Sequence, residues 1–229
     1  MPVSTMAALS STPRGCAIEH STPIILQLSE LEFAYPERPL FKDFSAVISA
    51  GVSLIRGGDG VGKSSLLRLL AGQLPAQRGQ LILKDIVLEQ QPELYRQQLF
   101  YGDPQALAAA HDQLSPGAYF ASVAARYPQF DTDYLAELIT ELGLSPHRGK
   151  TLYMLSTGLK RKVWLAAAFA SGAALTLLDD PYAALDQTSI RAVQHILESF
   201  SGQTERAIVY SHYEQAAGLG LASVIDLGD

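Results

Sequence analysis

The chain has 229 residues, 48% hydrophobic and 17% charged, with a formal net charge of -6. That length suits one α/β domain with an inserted subdomain, and the apolar content excludes extensive disorder. The acidic balance gives no basis for gripping a phosphodiester backbone, so no direct nucleic-acid partner is expected.

Residues 1–23 are rich in Ser, Thr, Pro and Ala without periodicity and are read as a flexible tail, with the folded domain at 24–229. The stretch before Gly15 lacks the apolar core of a signal peptide, so Pro13 to Cys16 reads as tail and not as a cleavage site. Cys16 is the only cysteine, which rules out an internal disulfide and fits a reducing compartment. No run approaches the roughly 20 apolar residues of a membrane span.

From Ile24, IILQLSELEFAY, FKDFSAVI and VSLIRG read as successive strands, and the last runs into a glycine-rich turn and the helix KSSLLRLLAG. LILKDIVLE and QLFYG read as further strands. Pro116 to Tyr127 and Asp133 to Leu142 read as two helices within an inserted helical subdomain at about 105–150. A helix from Gly158 to Ala170, the strand ALTLLD, a helix from Ser189 to Phe200, the strand AIVYS and a final short helix and strand complete the pattern. Strands alternating with helices predict a mostly parallel sheet covered on both faces.

GGDGVGKS at 57–64 fits G-x-x-x-x-G-K-[ST] between a predicted strand and a predicted helix, the setting of a phosphate-binding P-loop. Gly57, Gly58, Asp59, Gly60, Val61, Gly62, Lys63, Ser64 and Ser65 form the candidate phosphate cradle. Backbone N–H groups and a helix N-terminus receive the anion, Lys63 adds a point charge, and the Ser64 hydroxyl suits Mg²⁺. Asp59 is a carboxylate inside that cradle and must turn outward. LLDDP at 177–181 delivers Asp179 and Asp180 from the end of an apolar strand, and Asp179 is the natural carboxylate for the metal.

LSTGLKRKVWLAAAFA at 155–170 is by itself a capped amphipathic helix. Lying upstream of LLDDP, it makes the chain resemble the ATP-binding cassette (ABC) ATPases from about Leu31 onward, with the motifs in family order. GGDGVGKS looks like Walker A, LSTGL like the signature, LLDDP like Walker B, AALD at 183–186 like the D-loop and YSH at 210–212 like the switch histidine. Tyr35 resembles the aromatic that stacks on adenine, and Gln105 the Q-loop glutamine that meets the metal. Each also has an ordinary structural use: Tyr35 as a strand-edge aromatic, Gln105 as a loop amide, His212 as a helix cap and Asp186 as an N-cap.

The resemblance implies a P-loop NTPase core with N-terminal antiparallel strands, and ATP and Mg²⁺ as ligands. It implies catalytic roles for Asp180, His212 and Gln105, and metal contacts from Ser64, Gln105 and Asp179. It also implies that Leu155, Ser156, Thr157 and Gly158 act in trans on ATP held by a second cassette, with Asp186 in the D-loop. The implied function is the ATP-binding subunit of an ABC transporter, docked on an integral membrane permease at the inner face of the cell membrane. Phrases such as LSTGLKRKV are loosely similar to exporter-type cassettes, among them those of cytochrome c maturation. A soluble cassette or nucleotide-sensing module acting on a protein partner is the alternative.

Three positions depart from the family pattern. Asp180 replaces a glutamate, setting the carboxylate back by about one C–C bond, ~1.5 Å. A misplacement near 1 Å can cost ~10²-fold in rate, so nucleotide binding with slow hydrolysis is expected. Thr157 stands for a signature glycine and Leu159 for its glutamine.

Overall fold

A computed structural model of the protein describes residues 22–101 and 111–228. Two long strands, β1 (Ile24–Tyr35) and β2 (Arg38–Ser49), pair antiparallel, and β3 (Gly51–Arg56) leads into α1 (Lys63–Leu70). Next come β4 (Arg78–Leu83), β5 (Ile86–Val87), α2 (Pro92–Gln97) and β6 (Leu99–Tyr101). Helices α3 (Pro116–Arg126), α4 (Thr132–Glu141) and α5 (Thr157–Ala170) precede β7 (Leu175–Leu178). The chain closes with α6 (Gln187–Ser199), β8 (Ala207–His212) and β9 (Ser223–Asp226).

The strands form two sheets: an antiparallel one ordered β2-β1-β4-β5 and a parallel one ordered β6-β7-β8-β3-β9. The parallel strands are apolar on both faces because each face has its own cover. Val52, Leu54, Leu178, Ile208 and Tyr210 point to a core shared with α3, α4, α5 and α6. Their alternates Ile55, Leu175, Leu177, Ala207 and Val209 point to a second core under α1 and the antiparallel sheet. Helix α5 is buried continuously from Val163 to Ala170, which its run of alanines permits by letting neighbours approach on every side. Trp164 within it is fully buried and meets Phe100 at 6.4 Å between ring centroids.

Three local expectations change. LILKDIVLE is two strands, because the chain turns back at Lys84–Asp85 with Lys84 at φ 54°, pairing Leu83 with Ile86. PELYRQ forms the unanticipated helix α2, started by Pro92 and anchored by buried Tyr95, whose hydroxyl donates to the Leu70 carbonyl at 2.8 Å. No final helix forms between β8 and β9. That stretch carries Gly218 at φ 82° and Gly220, and only a turn survives there.

Candidate functional site

The parallel strands β3, β7 and β8 end at one edge of the sheet, the edge where such folds hold ligands. Their register decides which side chains meet. Arg56 pairs with His212 and Leu178 with Tyr210, so Asp179, one step past Leu178, arrives beside Ser211. Asp59, Gly60, Gly62, Lys63, Ser64, Ser65, Asp179, Asp180 and His212 line one cleft of about 300 Å³. Ser211 and Tyr213 line it too, and sequence reasoning had missed both.

The loop between β3 and α1 reaches its helix through Gly62, which caps α1 at φ 112°, a left-handed value that glycine alone adopts readily. Lys63 curls back over this loop, its Nζ donating to the carbonyls of Gly57 at 2.8 Å and Gly58 at 2.6 Å. The ammonium therefore sits across the mouth of the cradle it closes. The Gly58 N–H donates to the Gly228 carbonyl at 3.0 Å, tying the loop to the segment after β9, and Arg56 and Asp226 form an ion pair at the ends of β3 and β9. Asp59 is exposed, as a carboxylate beside an anion site must be. Tyr35 lies at the end of β1, 38% exposed, in an edge contact with Phe33, and its hydroxyl is 3.2 Å from Ser65 Oγ at the start of α1. That contact places the ring next to the loop.

Buried Ser211 organises the carboxylates. Its hydroxyl donates to Asp179 Oδ1 at 2.7 Å and accepts the Asp180 N–H at 3.0 Å. Asp180 turns away from the strand at φ 42° and brings Oδ1 to 3.4 Å from His212 Nδ1. The His212 contact holds the Asp180 carboxyl below the usual aspartate range against the opposing effect of partial burial, helped by the charges of Arg161 and Lys63. From behind, Arg161 of α5 donates to the carbonyls of Asp180 at 2.6 Å and Asp179 at 3.3 Å. A hydroxyl at Ser64 and a carboxylate at Asp179 on the same cleft form the hard oxygen set that suits Mg²⁺.

The signature-like residues lie outside this cleft. Leu155 is buried, Ser156 and Thr157 are exposed, and Ser156 Oγ caps α5 by accepting the Leu159 N–H at 3.3 Å. Gly158 is packed against the D-loop-like turn: a Cβ there would lie 2.6 Å from the Ala184 carbonyl oxygen. Asp186 caps α6, accepting the Ser189 N–H at 2.8 Å, and that hydrogen bond lowers its pKa. Gln105 lies outside the described residues.

A parallel sheet whose strand-loop-helix turn bears a lysine facing a strand-end aspartate defines a P-loop nucleotide-binding protein. The sequence profile of a family described as ABC transporter matches residues 41–183, more than half of the chain. The chain belongs to that family, as an ATP-binding subunit, and ATP binding and hydrolysis are the family's activity. Among its relatives, the cytochrome c biogenesis ATP-binding export protein CcmA of Albidiferax ferrireducens is 29% identical over 207 residues, covering 88% of this chain and 96% of its own. CcmA of Pseudomonas syringae pv. tomato is 31% identical over 192 residues, covering 83% and 89%. An ABC transporter ATP-binding protein of known structure from Pyrococcus furiosus matches with a TM-score of 0.73 at 21% identity, over 88% of this chain and 96% of that one. Among the described residues no helix is long and apolar enough to cross a membrane.

Proposed function

We propose that this chain drives an export-type transporter by binding Mg²⁺-ATP in the strand-end cleft and hydrolysing it slowly. The observation that carries the reading is the convergence of Lys63, Ser64, Asp179, Asp180 and His212 on one cleft. The CcmA relatives, named as export proteins, support the direction of transport. Lys63 leaves the loop carbonyls to meet the β and γ phosphates, and the amides of the loop and of α1 receive their oxygens. Tyr35 stacks on the base. Ser64 and Asp179 hold Mg²⁺, which neutralises phosphate charge when bound, and Ser211 keeps the Asp179 carboxylate in place. Asp180 orients the attacking water from one bond too far, and His212 contacts the γ-phosphate end. Gln105 completes the metal set.

The chain acts in pairs, with Ser156, Thr157 and Gly158 gripping ATP on a second cassette and Asp186 anchoring the turn beside them. Residues of about 105–150 form the subdomain that meets the membrane subunit. Between α3 and α4 runs an apolar groove of about 330 Å³ lined by Phe120, Phe130, Leu135 and Ile139, with Arg148 at its side. We place a helix of the permease there, which holds the cassette at the cytoplasmic face of the membrane.

Calorimetry on the full-length chain tests the reading. Wild type is expected to bind ATP more tightly with Mg²⁺ than without, and Asp179→Asn to remove that difference. An affinity indifferent both to Mg²⁺ and to Asp179 would overturn it.

A further inference from the structure

Asp180 and Ala184 adopt left-handed backbone conformations, at φ 42° and 59°, without being glycine. Such residues persist only where their surroundings hold them. Both carbonyls face the first two turns of α5. The Asp180 oxygen accepts from Arg161 at 2.6 Å, and the Ala184 oxygen lies so close over Gly158 that a Cβ there would be 2.6 Å away. On the other side of the residue, the Asp180 N–H donates to Ser211 Oγ at 3.0 Å. The turn is thus clamped from the sheet by Ser211 and from the helix by Arg161.

We propose that Arg161 is a positioning residue for ATP hydrolysis. It acts through the backbone carbonyls of Asp179 and Asp180, fixing the left-handed turn that aims the short Asp180 carboxylate at His212 and the cleft. The inference rests on the ATPase reading above and extends it, because the same helix opens with Ser156 and Gly158. The surface that grips the partner's ATP and the turn that aims this chain's own carboxylate are then one rigid piece, so a shift at one reaches the other within about two helical turns.

The test is a kcat-against-KM split on the full-length chain with saturating Mg²⁺-ATP. Arg161→Gln is expected to lower kcat by roughly tenfold or more, the scale of a small misplacement, with KM nearly unchanged. Arg161→Lys, which keeps a cationic donor, is expected to restore part of that loss. In an Asp180→Asn background Arg161→Gln is expected to cost nothing further. A raised KM at unchanged kcat, or the same loss in both backgrounds, overturns the proposal. Absent turnover in wild type counts against the ATPase reading alone. Arg161 is judged independently by hydrogen exchange at the Asp180 amide, expected to speed up in Arg161→Gln while β7 and β8 stay protected. Unchanged exchange at that amide overturns the proposal whatever the kinetics.

Discussion

The strand-end cleft and the opening of α5 carry equally recognisable motifs, yet they are built in opposite ways. In the cleft, the polar groups needed for chemistry are paired with each other: Lys63 with the loop carbonyls, Asp179 with Ser211, Asp180 with His212. Each pairing is one that a phosphate, a metal or a water can replace. At the opening of α5, Ser156 caps its own helix and Gly158 makes room for a neighbouring carbonyl. There the motif residues carry local structure and leave Ser156 and Thr157 exposed. The cleft stores its charges against each other, whereas the opening of α5, which on the pairing proposed above acts on a second cassette, is held by its own cap and packing.

The largest expected effect tests the cleft side. Lys63→Ala removes the charge proposed to meet the phosphates, and charge-assisted hydrogen bonds are worth about 1.5–3 kcal/mol, so Mg²⁺-ATP affinity should fall ~10- to 100-fold by calorimetry. An unchanged affinity would dissolve the contrast, since the cleft would then be no more a ligand site than the helix opening. The helix side answers to stability instead. Gly158→Ala drives a methyl group into the Ala184 carbonyl and should destabilise the fold by about 1–3 kcal/mol in denaturant unfolding. If the variant unfolds like wild type, the D-loop-like turn yields to the helix and the two are not packed as one body.

The same contrast explains what could be seen in the sequence. GGDGVGKS, LLDDP and the final histidine of YSH were legible because each places its chemistry at the end of an apolar strand, where spacing and setting coincide. Ser211 was not, although a hydroxyl next to that histidine in an otherwise apolar strand was a signal. Its partner depends on the register that pairs Leu178 with Tyr210, a long-range fact. The contact between Gly158 and Ala184 was hidden for the same reason, and so was Arg161, which reads as one of three basic residues on a helix until the turn it holds is folded beside it. Local errors had local causes. Lys84–Asp85 turned an apolar run into a hairpin, and Gly218 and Gly220 removed a helix that alanines alone would have favoured.

Asp180→Glu sharpens the comparison from within the cleft. Lengthening the carboxylate by one bond should raise kcat by about tenfold with ATP affinity little changed, because in the role proposed for Asp180 the change acts on the attacking water and not on the phosphates. The expected gain is smaller than the full cost of a 1 Å misplacement, since the longer side chain must also be held at the left-handed backbone of residue 180. Single-turnover assays decide it. A fall in kcat would mean that the clamped turn already compensates for the shorter side chain.

The smallest effect concerns the pairing of Asp180 with His212. The contact at 3.4 Å is the leading cause of the lowered Asp180 pKa, ahead of the Arg161 and Lys63 charges. A carboxyl whose pKa is depressed on folding adds stability that is present above its unfolded pKa and lost as pH falls through the lowered folded value. Asp180 is 54% exposed, so solvent screening keeps that contribution small. His212→Ala should therefore move the Asp180 titration upward, because it removes the leading cause of the lowered pKa while partial burial, which raises it, remains. Carbon NMR of the Asp180 carboxyl in the nucleotide-free chain reads this directly, without turnover, which loss of His212 would lower on its own. Lys63→Ala should raise the same midpoint by less, since its charge stands behind those of His212 and Arg161. If His212→Ala leaves the midpoint where it was, the His212 contact is a consequence of how the turn is clamped and not what keeps the carboxylate charged, and the cleft's internal pairing rests on the backbone, as the helix opening does.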